Sequence, residues 1–172
     1  TVADHHLTWP GGQDPVALAG GTIDAAARVG ARLVFVRGTA RDDPQAAAAS
    51  VEDIHRTHLG AGATGTSADG MLQLAVGPSG VHSDGPETFA TLGEVASRLG
   101  LRRRTQANEQ VDVQVAAERY GRRPLELLDE WGWLADDVTL AHLCEITDDE
   151  VALVARSGAS ATHAPGCDVP MG

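Results

Sequence analysis

Residues 121–142 read GRRPLELLDEWGWLADDVTLAH. Gly121 is a helix stop, and Pro124 suits the first turn of a new helix, where its missing N–H costs nothing. That helix fits Pro124 to Trp131 and ends at Gly132. Val138 to Ala141 then makes a short apolar run of strand length, and it ends on an ionisable residue, His142. Helix, glycine, strand and polar strand end form one unit of a β/α repeat.

The same unit recurs in both directions. Upstream, Asp14-Pro15 opens a helix that Gly30 stops, and Leu33 to Val36 follows as a buried strand. A helix over Pro44 to His58 leads to a strand at Leu72 to Val76. Asp84-Gly85-Pro86 opens another, with Phe89, Leu92, Val95 and Leu99 on one face and Gly100 at its end. Leu101 to Thr105 is the weakest strand, because Arg102, Arg103 and Arg104 sit awkwardly in a buried sheet. A helix over Val111 to Tyr120 precedes the opening stretch. After it, Thr147-Asp148-Asp149-Glu150 is a capping box for a helix ending at Gly158, and Ser160 to His163 is the last strand. With Val2 to His6 this makes six strands separated by helices, hence an α/β fold with parallel pairing and right-handed crossovers. The pattern alone leaves an open doubly wound sheet and part of a barrel both standing.

Each apolar run ends on polar residues: His5-His6, Arg37, Ser79, Gln106 to Glu109, His142 and His163. In parallel α/β proteins the C-terminal strand ends share one face, and ligands bind there.

Composition narrows the function. The chain has 172 residues, enough for one domain, and its net charge of −11 argues against a nucleic-acid partner. No lysine is present, and the two cysteines, Cys144 and Cys167, lack zinc-type spacing. No stretch approaches the ~18–20 apolar residues of a membrane span. Nor is there a basic-then-apolar leader. The expected place is the cytoplasm, and the start at Thr1 reads as a cut.

Several apparent motifs have plainer explanations. Gly60, Gly62 and Gly65 spell GxGxxG, but they follow a helix and precede a strand, the reverse of what phosphate binding needs. His55 and His58 lie one turn apart without a third ligand at helical spacing, so a solvated helix face is expected. His82-Ser83-Asp84 cannot form the directed chain of a triad from adjacent residues, and Asp84 is expected to cap a helix. His142-Leu143-Cys144-Glu145 lacks a second histidine for a metal motif. Trp131 and Trp133 read as packing residues, and His5, His6 and His163 suit a backbone-bonded polar rim as readily as a ligand role.

From Gly121 the pattern is specific. Gly121-Arg122-Arg123-Pro124, Leu128, Gly132-Trp133-Leu134 and Asp137 to His142 resemble the metal-dependent amidohydrolase superfamily, in the branch of atrazine-type chlorohydrolases, 8-oxoguanine deaminase and S-adenosylhomocysteine deaminase. Asp149-Glu150, Ala155 to Gly158 and His163-Ala164-Pro165 continue it, and Asp4-His5-His6, Pro78 and the helix of Pro86 to Gly100 extend it upstream. The resemblance implies a (β/α)₈ barrel of which residues 1–172 supply about the second to the seventh strand, as one partial TIM-barrel domain. It also implies hydrolytic displacement of an amino group or chloride from a small N-heterocycle, breaking a C–N or C–Cl bond, by water on zinc or iron. A divalent ion lowers the pKa of bound water to ~7, and a carboxylate carries protons to the leaving group.

Against that pattern, the family's His-x-His-x-x-Glu here reads Arg104-Thr105-Gln106-Ala107-Asn108-Glu109. Gln106 takes the metal-ligand place, and a neutral amide is a poor substitute for imidazole. The strands expected to carry the other ligands are not represented. No metal ligand and no cofactor is therefore expected in this chain itself. Glu109 keeps the place of the proton-transferring carboxylate and His142 that of the histidine polarising substrate or water. Gln106, His5, His6 and His163 are the expected substrate-facing residues. The alternative is a catalytically inactive member, a pseudoenzyme used in binding or assembly. Open edges near Ala3 and Thr162 predict pairing with a second copy or membership of a longer chain.

Overall fold

The computed structural model describes residues 1–169. Its elements run β1 (Val2–His6), α1 (Pro15–Arg28), β2 (Leu33–Thr39), α2 (Pro44–His58), β3 (Leu72–Pro78), α3 (Pro86–Leu99), β4 (Arg102–Ala107), α4 (Gln110–Tyr120), α5 (Pro124–Glu130), β5 (Val138–His142), α6 (Asp148–Ser157), β6 (Ser160–Thr162) and α7 (Pro165–Asp168). The caps behave as the residues dictate. Asp14 accepts from the Val16 amide, Asp43 from the Ala46 amide, and Thr147 and Glu150 close a capping box on α6.

All neighbouring strands pair in parallel, in the order β1-β2-β3-β4-β5-β6. Spatial order equal to chain order means that every crossover steps the same way. Right-handed crossovers then put the helices on one side, and no strand order reverses as in a doubly wound sheet. This settles the alternative the sequence left standing: the sheet is a partial TIM barrel, six strands of a singly wound wall. Among the described residues β1 and β6 have no outer neighbour.

The two faces differ chemically. Phe35, Leu74, Val76, Val138 and Leu140 point outward into the core beneath the helices, with Phe89, Leu92, Leu125, Leu128 and Trp133. Trp133 is buried, lies edge-on to Phe89 at 5.1 Å, and donates its indole N–H to the Phe89 carbonyl at 2.9 Å. Ala3, Val34, Val36, Gln73, Ala75, Arg104, Thr139 and Thr162 line the inner face.

Strands β2, β3 and β4 run two or three residues beyond the apolar runs that announce them, because Gly38 and Thr39 still pair with Gly77 and Pro78. The arginines of β4 are accommodated separately. Arg103 faces outward, grips both Asp137 oxygens at 2.6 and 2.7 Å, and lies over Trp133 at 5.2 Å. Arg102 bonds the Asp136 carbonyl at the rim, and Arg104 faces inward to Thr162.

One pairing is short. β3 and β4 share only the pairs Ala75–Arg102 and Val76–Arg103, whereas β2–β3 runs from Leu33–Leu72 to Thr39–Pro78. Beyond that point a Cβ on Gly77 would lie 2.1 Å from the Arg104 carbonyl oxygen, so only glycine fits. No described helix is long and apolar enough to cross a membrane.

Candidate functional site

Glu109 leaves β4 through Asn108, whose backbone is left-handed (φ 56°). That turn is held from three sides. The Asn108 side chain donates to Glu150 at 2.9 Å, its carbonyl accepts from the Glu145 amide at 2.8 Å, and the Ala107 carbonyl accepts from the Leu143 amide at 3.0 Å. Glu150 is itself fixed by the two-point grip of Arg123, at 2.7 and 2.9 Å, and by the Thr147 amide at 2.9 Å. Burial opposes the Glu150 charge, but the bonds from Arg123, Thr147 and Asn108 outweigh it and hold its pKa below the ordinary value. The GRRP segment and the capping box of α6 are thus the brace beneath Glu109.

His142 and Leu143 are left-handed too (φ 75° and 59°), a conformation that costs about 1–3 kcal/mol per residue and clusters at functional sites. The reversal swings the imidazole toward Glu109, with Nε2 3.2 Å from Oε1. Nδ1 lies 2.7 Å from Oδ1 of Asp168, whose side chain is shielded from solvent. The other Asp168 oxygen accepts from the Ala164 amide at 2.5 Å and lies 2.8 Å from Nδ1 of His163. The His142 bond, with the Ala164 amide, lowers the Asp168 pKa. An ionised Asp168 fixes the N–H of His142 on Nδ1 and leaves Nε2 facing Glu109.

Glu109, His142 and His163 are therefore brought together, by way of Asp168. His5 lies farther in, with Nε2 3.0 Å from the Gly77 carbonyl. Its pKa is lowered by burial, with Arg104 and His142 adding to the effect. Gln106 stands in register with Ala141 on β5. His6 turns away from this group: it bonds the Thr8 carbonyl, lies 3.4 Å from Asp4, and packs on Phe35 and Trp9.

Sequence reasoning missed Asp168, which acts only because the chain doubles back after β6. It also misjudged two residues. His55 is buried and bonds the Ala63 carbonyl, so it is not on a solvated face. Asp84 does not cap α3, whose N-cap is Gly85; it accepts from the amides of Ser79 and Arg41 and ties two loops together. His82 forms no series with Ser83 and Asp84, in keeping with the sequence reading, and its partner is Asp112 at the start of α4, at 2.7 Å.

The described donors do not by themselves form a site for a divalent ion. Among the described residues no three His, Cys, Asp or Glu side chains are grouped to hold one. The guanidinium of Arg104, with its Nε buried and unpartnered, lines one cavity with His142, His163 and Asp168. A fixed cation there repels a metal ion. Cys144 and Cys167 are free thiols.

No family model matches the chain. It is similar to an isoxanthopterin deaminase from an unknown prokaryotic organism, 32% identical over 96% of this chain and 36% of that protein. An 8-oxoguanine deaminase of Pseudomonas aeruginosa is 26% identical over 98% of this chain and 39% of its own length. Among solved structures, an atrazine chlorohydrolase from Arthrobacter aurescens TC1 complexed with zinc superposes with a TM-score of 0.84 at 26% identity, over 98% of this chain and 39% of that one. The chain thus spans little more than a third of the relatives it matches. With sequence likeness running through nearly all of its length and the barrel wall shared as well, the chain belongs to the amidohydrolase superfamily and carries part of its barrel.

Proposed function

We propose that this chain forms part of a hydrolase that removes an amino group or chloride from a small N-heterocycle. The observation that carries the reading is the Asp168–His142–Glu109 series at the C-terminal strand ends, in a chain whose relatives are named as deaminases. Glu109 takes a proton from the attacking water as its oxygen bonds to the ring carbon. The C–N bond then breaks, and Glu109 returns the proton to the leaving nitrogen. His142, held by Asp168, keeps Nε2 toward Glu109 and the reacting oxygen. In the zinc-containing relative a metal is present; among the described residues of this chain no such ligand set is grouped, and the steps above name only what its own side chains do. The rest of the barrel comes from a longer chain or from a second copy.

The test is ammonium release from pterins and oxopurines, and chloride release from chlorotriazines, by the parent protein and by Glu109→Gln. Loss of a proton-transferring carboxylate should lower turnover by about 10²–10⁴-fold. Undiminished turnover in Glu109→Gln removes the reading.

A further inference from the structure

A second group of serine, histidine and aspartate lies wholly within this chain, on the same face but built from other elements, with its serine buried. Ser79 directly follows β3, in the turn that leads to α3. Its Oγ lies 3.5 Å from Nε2 of His82. Nδ1 of the same ring lies 2.7 Å from Oδ1 of Asp112, which also accepts the His82 backbone amide at 3.1 Å. Asp112 is fully buried and its Oδ2 has no partner, so the carboxylate is held inside the protein for the sake of His82. Gly80 makes room for the pair: a Cβ there would lie 2.8 Å from Nδ1 of His82 and 3.0 Å from Oδ1 of Asp112. Among the described residues the Gly80 amide donates to no backbone carbonyl. It immediately follows Ser79, the position from which a backbone N–H serves an oxyanion in serine hydrolases.

We propose that Ser79, His82 and Asp112 form a serine-nucleophile centre that accepts acyl groups from small esters. Asp112 holds the N–H on Nδ1, so Nε2 is the base. The Ser79 hydroxyl adds to the ester carbonyl carbon and its proton passes to Nε2. The oxyanion meets the Gly80 amide, the C–O bond to the alcohol breaks, and the alcohol leaves with the proton from His82. Water then repeats the sequence, its proton going to Nε2, and releases the carboxylic acid and free Ser79. A contact of 3.5 Å is long for a hydrogen bond, but nucleophile–base contacts tighten when substrate binds. The Asp112 bond raises the His82 pKa against the effect of burial, with Glu109 and Asp84 adding to it, while Arg119 reaches the His82 carbonyl.

The experiment is labelling of the 172-residue chain with an alkyl fluorophosphonate, read by peptide mass spectrometry, alongside p-nitrophenyl acetate turnover. A single adduct on Ser79 is expected, absent in Ser79→Ala and formed about 10²-fold or more slowly in His82→Ala, with circular dichroism showing both variants folded. The labelling rate should rise with pH through a midpoint above the ordinary histidine value, and chelators should leave it unchanged. No adduct on Ser79 in the folded chain, or an equal rate in His82→Ala, overturns the proposal. Because labelling needs neither Glu109 nor the rest of the barrel, its failure leaves the deaminase reading untouched, and the reverse holds as well.

Discussion

Glu150 shows how much of a site is built by residues that never reach it. Its carboxylate collects Arg123, Asn108 and the Thr147 amide, and through Asn108 it fixes the turn that presents Glu109. Glu150→Gln should lower stability by about 1–3 kcal/mol, since bonds to a charged group are replaced by weaker ones. The sign with pH follows from the depressed folded pKa. The contribution is complete above the unfolded value of about 4.5 and is lost as pH falls toward the folded one, because the unfolded chain takes up the proton first. Urea midpoints at neutral and acid pH, for both proteins, measure this: the gap should shrink with acid. At this scale the sequence was half legible. Glu109 and His142 stand out by type at strand ends, whereas Asp112 and Asp168 matter only through contacts 30 and 26 residues away in sequence. Nothing local distinguishes those aspartates from the caps and solvated carboxylates around them.

The helices were read closely because their caps are local chemistry; proline at the first turn and glycine at the stop mark both ends of α3. The ends of β2, β3 and β4 were read short because pairing between neighbours, not apolar character, decides where a strand stops. β4 was doubtful for the same reason: Arg103 is tolerated only because Asp137 and Trp133 meet it, and neither is visible from within the run. The tightest point between elements is Gly77. Gly77→Ala forces β3 from β4 and should cost about 1–3 kcal/mol or more, measured as a lower midpoint in thermal or urea unfolding. An unchanged midpoint would mean that the two strands separate freely there.

At the largest scale, chain order equal to spatial order leaves β1 and β6 as edges among the described residues. Such edges recruit further strands. Sedimentation of the isolated 172-residue chain should therefore show concentration-dependent self-association, and a clean monomer at every concentration would contradict this. The repeat made this architecture legible in outline. The repeat alone left single and double winding both open, because that depends on which side each crossover takes; the resemblance supplied the partial barrel, and the strand order agrees with it.

The short β3–β4 pairing carries a consequence for how the chain comes to act. Two ladder pairs divide the wall into a leading half ending at Ser79 and His82 and a trailing half bearing Glu109, Asp112 and His142. The His82–Asp112 bond is a clasp fastened across that division. His82 therefore takes its carboxylate from the other half of the wall, and a change that parts the two halves removes that partner without altering either residue.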